Sequence, residues 1–158
     1  MSSKLFVAVL VTCVFFLNTV PLSLAEPTDA CALLTQARLS SVAGVSMGAG
    51  SPISRPGTCQ WAGTGKIVTL TITQTKGGKS PVEQFNASKK STLPGITVEP
   101  ISGVGDDAFY VSYGGNTSGA MGLVVKKGSS SFEFRVYGFK DQSKTVAKTL
   151  ALDIVPKF

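Results

Sequence analysis

An α+β domain is the fold class this sequence predicts: an antiparallel sheet with an apolar face covered by N-terminal, middle and C-terminal helices. Three observations carry the prediction. Lys66 to Thr75 alternates, with Val68, Leu70 and Ile72 on one side and Thr69, Thr71, Thr73 and Thr75 on the other. Phe132, Phe134 and Val136 repeat the alternation against Glu133, Arg135 and Tyr137. Such period-two patterning belongs to a sheet with one buried face. Helix signals stand near the start, middle and end of the folded part, and hairpin-length connections dominate its second half. Strands and helices in that order make an α+β arrangement rather than a parallel sheet.

The chain opens with a segment that is not part of this fold. Lys4 precedes an apolar run from Leu5 to Leu17, Pro21 interrupts it, and Ser23 and Ala25 are small residues before Glu26. This is the pattern of a secretory signal peptide over residues 1–25, with cleavage after Ala25. Residues 26–158 then form a single exported domain, periplasmic or extracellular. Thr12 before Cys13 suits lipid attachment poorly, so contact with a membrane is expected only through an uncleaved signal segment.

The first helix is expected over Gln36 to Ala43. Thr35 is its N-cap, Leu34 and Leu39 form a hydrophobic staple, and Gly44 is the C′ residue. Gly44 to Thr58 reads as a long, exposed loop, rich in glycine and proline. Cys59 and Trp61 share one face of the next short strand. After the Lys66 strand, Gly77-Gly78 makes a break. Ser80-Pro81-Val82-Glu83 is a capping box with proline at N1, opening a helix to about Lys90.

Pro94-Gly95 turns into a strand at Ile96 to Ile101, and Gly103 and Gly105 turn into another at Ala108 to Tyr113. Gly114 to Gly119 is a hairpin loop, expected to be exposed, and Met121 to Lys127 is the return strand. A last helix begins near Ser143. Val146, Ala147, Leu150, Ala151 and Ile154 give it a broad core-facing stripe, and Pro156 stops it.

Chemistry is bounded mainly by what is scarce. Histidine is absent, which removes the usual general base and the Ser-His-Asp and Cys-His arrangements. Cys31 and Cys59 remain after the leader is removed, and they allow one intramolecular pairing. The alternative is two free thiols or half a metal site, which no histidine or further cysteine could complete. An exported chain favours the disulfide. No metal, cofactor or catalytic residue is therefore expected.

Asp106-Asp107 is the best carboxylate pair, but adjacent strand residues point to opposite faces. Asp106 is expected to fix the Gly103-Val104-Gly105 turn by local hydrogen bonds, with Asp107 exposed. Glu133, Arg135 and Tyr137 share one strand face and form a candidate contact surface. Tyr110, Tyr113, Tyr137 and Phe139 could line a shallow groove or pack in the core. The formal charge is +6, and one unit leaves with Lys4. The cations are dispersed lysines, densest at Lys89-Lys90 and Lys126-Lys127, without the interleaved aromatics of single-stranded nucleic-acid binding.

Cys31-x-Leu33-Leu34-Thr35 before a helix ending in glycine, Cys59-x-Trp61, the Gly103-Val-Gly-Asp-Asp-Ala-Phe109 turn and the alanine-rich last helix follow in order. In this, most of the exported part resembles a group of uncharacterised exported bacterial envelope proteins. Many of those are lipoproteins with a small α+β domain and two bridged cysteines. This chain departs from them in lacking a lipobox. The resemblance implies no enzyme activity and no site residues.

The expected function is a non-enzymatic binding or accessory domain of the cell envelope, its partner an envelope protein or glycan and not a nucleic acid. One alternative is a carboxylate-dependent hydrolase of envelope glycans, which needs two acidic side chains converging in a cleft. Another is a weak polyanion-binding module, which needs the lysine pairs on one face.

Overall fold

The computed structural model describes residues 29–114 and 120–158. The expected signal peptide and most of the Gly114–Gly119 hairpin lie outside these residues.

A short 3-10 turn, Ala30–Leu33, leads into α1 (Gln36–Ala43). Thr35 caps α1 by accepting from the Arg38 amide, and Gly44 closes it with φ +66°. Positive φ costs glycine little, which suits it to this position. Three strands follow: β1 (Ser51–Pro52), β2 (Thr58–Gly63) and β3 (Lys66–Ile72). The helix α2 (Pro81–Lys89) carries the full capping box, Ser80 and Glu83 each bonding the other's backbone N–H. Then come β4 (Ile96–Ile101), β5 (Asp107–Tyr113), β6 (Met121–Lys127), β7 (Ser130–Tyr137) and α3 (Ser143–Ile154).

All seven strands join one antiparallel sheet in the order β1-β2-β3-β7-β6-β5-β4. The connection through α2 carries the chain from the middle of the sheet to its far edge. The meander β4 to β7 then returns to pair β7 with β3, Thr71 opposite Glu133.

The larger core lies on one face. Val68, Leu70, Leu123, Val125, Phe132, Phe134 and Val136 from the sheet meet Leu39 of α1 and Val146, Ala147, Leu150, Ala151 and Ile154 of α3. Cys31 and Cys59 are disulfide-bonded at the edge of this core. Trp61 is buried nearby, and Gly50 lies against both: a Cβ there would fall 2.5 Å from Trp61 Nε1 and 2.9 Å from Cys59 Sγ.

The middle helix is not on this face. α2 packs on the opposite side, where Phe85 meets Phe109, Val111 and Val124 in a second, smaller core. The physical reason is visible in β5 and β6. Phe109, Val111 and Val124 alternate with the residues of the larger core, so these strands are apolar on both faces. The second apolar patch needs its own cover.

The expected exposed loop after Gly44 is partly buried instead. Met47 is buried and bridges to Gly63, and Ser51–Pro52 pairs with β2 as an edge strand. The rest largely stays exposed as expected, including Gly44, Ser46, Gly48, Ala49 and the run from Ser51 to Pro56. Asp107 is also not left free: Lys89 Nζ holds it at 2.7 Å. Asp106 is hydrogen-bonded, but its partners are not in the local turn. Its carboxylate accepts from the Gly128 amide at 2.7 Å and from Lys127 Nζ at 2.9 Å, tying the start of β5 to the β6–β7 turn.

Candidate functional site

The face that carries α2 is only half covered. Contact between Gln84 and the Gln74 carbonyl anchors the start of α2 near the end of β3, and the Lys89–Asp107 pair anchors its end at β5. The helix thus crosses the end of the sheet where Asp107, Lys126 and Ser131 are aligned. Beyond it no described element covers the sheet.

Two rows of side chains form the floor of this opening. In one, Phe109, Val124, Glu133 and Thr71 stand side by side on β5, β6, β7 and β3. In the other, Val111, Gly122, Arg135, Thr69 and Gln60 do so from β5 to β2. Both rows change from apolar to polar between β6 and β7. The result is a groove of about 620 Å3, walled by Gln84, Phe85 and Ser88 of α2, by Leu93 and Ile96, and by Arg55 and Pro56 at the other end. A shallower hollow of about 460 Å3, lined in part by Ile67 and Tyr137, adjoins it, and Arg55, Thr71 and Arg135 line both.

Glu133 and Arg135 are bonded to each other. Arg135 Nε donates to Oε1 of Glu133 at 2.7 Å and Nη2 to Oε2 at 3.1 Å, the two-pronged geometry that suits guanidinium and carboxylate. Tyr113 completes the cluster. Its hydroxyl donates to Glu133 Oε1 and accepts from Arg135 Nη2 at 3.1 Å, and the guanidinium stands 4.4 Å from the ring centroid. Burial, and then the negative charge and hydrogen bond of Glu133, push the Tyr113 phenol well above its ordinary value of 10.0. Burial works against the charge of Arg135. The hydrogen bonds and charge of Glu133 outweigh it, with smaller help from Tyr113 and Tyr137, so the guanidinium is held more firmly protonated than usual.

Space for this cluster comes from Gly122. A Cβ at that position would meet Val111 Cγ1 at 2.6 Å, Glu133 Oε1 at 2.9 Å and Tyr113 Cε2 at 3.2 Å. A glycine inside a strand often marks such a close approach, and this is the signal in the sequence that could have exposed the cluster. Arg55 gave no comparable signal, because it lies in an irregular proline- and glycine-rich stretch.

The candidate contact residues are thus brought together on one face, but unequally. Glu133 and Arg135 lie in the groove floor, while Tyr137 lies in the adjoining hollow. The four aromatics separate: Tyr113 and Tyr137 lie on the groove side, Tyr110 and Phe139 in the larger core. Among the described residues, Glu133 is the sole carboxylate lining the groove, against the cations Arg55, Lys76 and Arg135. Of the lysine pairs, Lys89 and Lys126 turn toward the α2 side, Lys89 on Asp107 and Lys126 5.9 Å from the Phe85 ring, while Lys127 is held by Asp106. Comparison of the chain with protein-family models, with curated proteins and with solved structures found no match.

Proposed function

We propose that this chain is an exported, non-enzymatic binding protein of the periplasm or extracellular space, and that it holds a small ligand in the groove between α2 and the open half of the sheet. The observation that carries the reading is the groove itself. Its size is that of small-molecule sites, and it joins an apolar bed of Phe109, Val111 and Val124 to a convergent polar cluster of Tyr113, Glu133 and Arg135. The Cys31–Cys59 bridge is compatible with an oxidising location, and no helix among the described residues is long and apolar enough to cross a membrane.

Binding is favoured over glycan hydrolysis because a carboxylate pair is what such hydrolysis uses. Glu133 has no acidic companion in the groove among the described residues, and both its oxygens accept from Arg135.

Two experiments test the proposal. N-terminal sequencing of material recovered outside the cytoplasm should begin at Glu26; a chain retained inside cells with residues 1–25 attached refutes export. For binding, a fragment library containing neutral, anionic and cationic members is screened by amide NMR shifts. Hits should move Thr71, Gln84, Val124, Glu133 and Arg135 together. A screen whose hits all map elsewhere, or which yields none, refutes the groove as the site.

A further inference from the structure

We infer that the groove selects an amphipathic anion: an elongated apolar body ending in one anionic group such as a carboxylate. This rests on the binding reading above and specifies its ligand class. The floor is graded. Phe109, Val111 and Val124 offer an apolar bed under Phe85, Leu93 and Ile96, and Thr71, Glu133 and Arg135 follow on the neighbouring strands. A uniformly polar ligand would leave the apolar bed wet. A uniformly apolar one would strip water from Arg135 and Glu133 without replacing their hydrogen bonds, which costs free energy.

Charge sets the sign of the polar end. Glu133 is already matched by Arg135, with two bonds between them and a third from Tyr113. Arg55 and Lys76 remain as surplus cations on the groove wall. Arg55 and Arg135 stand where the groove meets the adjoining hollow, so a head group there can be reached by both guanidiniums while its body points toward α2. Guanidinium groups are the side chains best shaped for carboxylate or phosphate oxygens. Leu93 at the apolar end lines the groove and is 63% exposed, as expected for a side chain that is covered when the groove fills.

Three ten-carbon probes separate charge from apolar burial: decanoate, decanol and decyltrimethylammonium, each below its micelle-forming concentration. The full domain with its disulfide intact is titrated at low salt and followed by amide NMR. Decanoate should bind tightest, with shifts running from Val124 and Val111 to Arg135. Arg55→Gln should weaken decanoate by about fivefold, the scale of one partly exposed charge pair, and leave decanol unchanged. Leu93→Ser should weaken decanoate and decanol by a common factor, which identifies the apolar end.

If decanol or the cation binds the groove as tightly as decanoate, the anion assignment is overturned and groove binding survives. Equal weakening of decanoate and decanol by Arg55→Gln also overturns it, because that change would then act through the fold and not through charge. Should none of the three probes move the groove resonances, the ligand class is wrong. The fragment screen, which includes chemistry outside these three, then decides the fate of the groove separately.

Discussion

Gly122 lies against the carboxylate of Glu133, and the absence of a side chain on one is what places the other. A Cβ at position 122 would come within 2.9 Å of Glu133 Oε1 and would also press on Val111 and Tyr113. The backbone at Gly122 is ordinary extended strand, so the requirement is for space and not for an unusual torsion. Two consequences for the groove and three for the fold can be measured.

Gly122→Ala should move the Glu133–Tyr113–Arg135 cluster and overpack β6. The expected loss is about 1–3 kcal/mol, the usual range for inserting a methyl group into filled space. Urea unfolding gives the number, and amide shifts at Glu133 and Arg135 report the displacement. An alanine variant with wild-type stability and unmoved resonances would show that the space is not needed.

The raised ionisation of Tyr113 makes stability depend on alkaline pH. The phenol keeps its proton in the folded protein at pH values where the unfolded chain has lost it. Its contribution is therefore fully present below pH 10.0, the ordinary value, and is lost as pH rises beyond it. Melting curves from about pH 8 upward, spanning the ordinary phenol value of about 10, isolate this contribution when compared with Tyr113→Phe. Glu133→Gln removes the negative charge beside the phenol, so Tyr113 should ionise at lower pH in that variant. Absorbance titration of phenolate checks it, and an unchanged titration would mean Glu133 does not govern the phenol.

Reducing the Cys31–Cys59 bridge releases a constraint spanning a sequence separation of 28. On the chain-entropy model the stability lost is about 3–4 kcal/mol. Trp61, the one tryptophan, is buried close to the bridge and should change its fluorescence on reduction. Native protein that reacts fully with an alkylating reagent before any reductant is added would contradict the bridge.

Ser80→Ala removes half of the capping box of α2. A lost N-cap costs about 1 kcal/mol. Because α2 walls the groove through Gln84, Phe85 and Ser88, the same variant should speed amide exchange in that helix before the rest of the domain opens. Hydrogen exchange that slows or stays uniform along α2 would place its stability elsewhere.

Asp106 should behave as a tie between β5 and the β6–β7 turn. Hydrogen bonds from Lys127 and from the Gly128 amide hold its carboxyl below the ordinary 3.8. The stabilisation is present above that ordinary value and is lost as pH falls through the lower value of the folded state. Asp106→Ala should flatten the acid limb of the stability curve and loosen the Gly128 amide. Asp106→Asn should keep the amide protected while losing the acid dependence. Equal loss of Gly128 protection in both variants would argue against the tie.

Local signals were strong enough to place most elements. Thr35 and Gly44 bound α1, Ser80 and Glu83 open α2, and the stripe from Val146 to Ile154 is buried as its spacing demands. What local signals could not give was the face on which a helix lands. Phe85 meets Phe109 and Val124 through strand order, and that order brings β7 beside β3 from far along the chain. The same applies to the site. Alternation put Glu133, Arg135 and Tyr137 on one face, but Tyr113 reaches Glu133 only because β5 and β7 flank β6. Met47 illustrates the opposite error: in a stretch dense in glycine and proline, one apolar residue is buried and bridges to Gly63 while its neighbours stay exposed.

The strand order also dictates a timetable for assembly. β3 is complete as a stretch of chain by residue 72, yet one of its two sheet neighbours is β7, which ends at residue 137. The helix that seals the larger core, α3, is made later still. A chain emerging from its N-terminus therefore carries the Val68, Leu70 and Ile72 face without α3, and β3 without its β7 neighbour, until nearly all of it has appeared. Pairing of such distant segments is slow, and an exposed apolar strand edge invites wrong partners in the interval. Only the early 3-10 turn, α1 and the Cys31–Cys59 bridge can shelter that hairpin beforehand. The bridge is thus placed to guard the newborn half of the sheet as much as to stabilise the finished one.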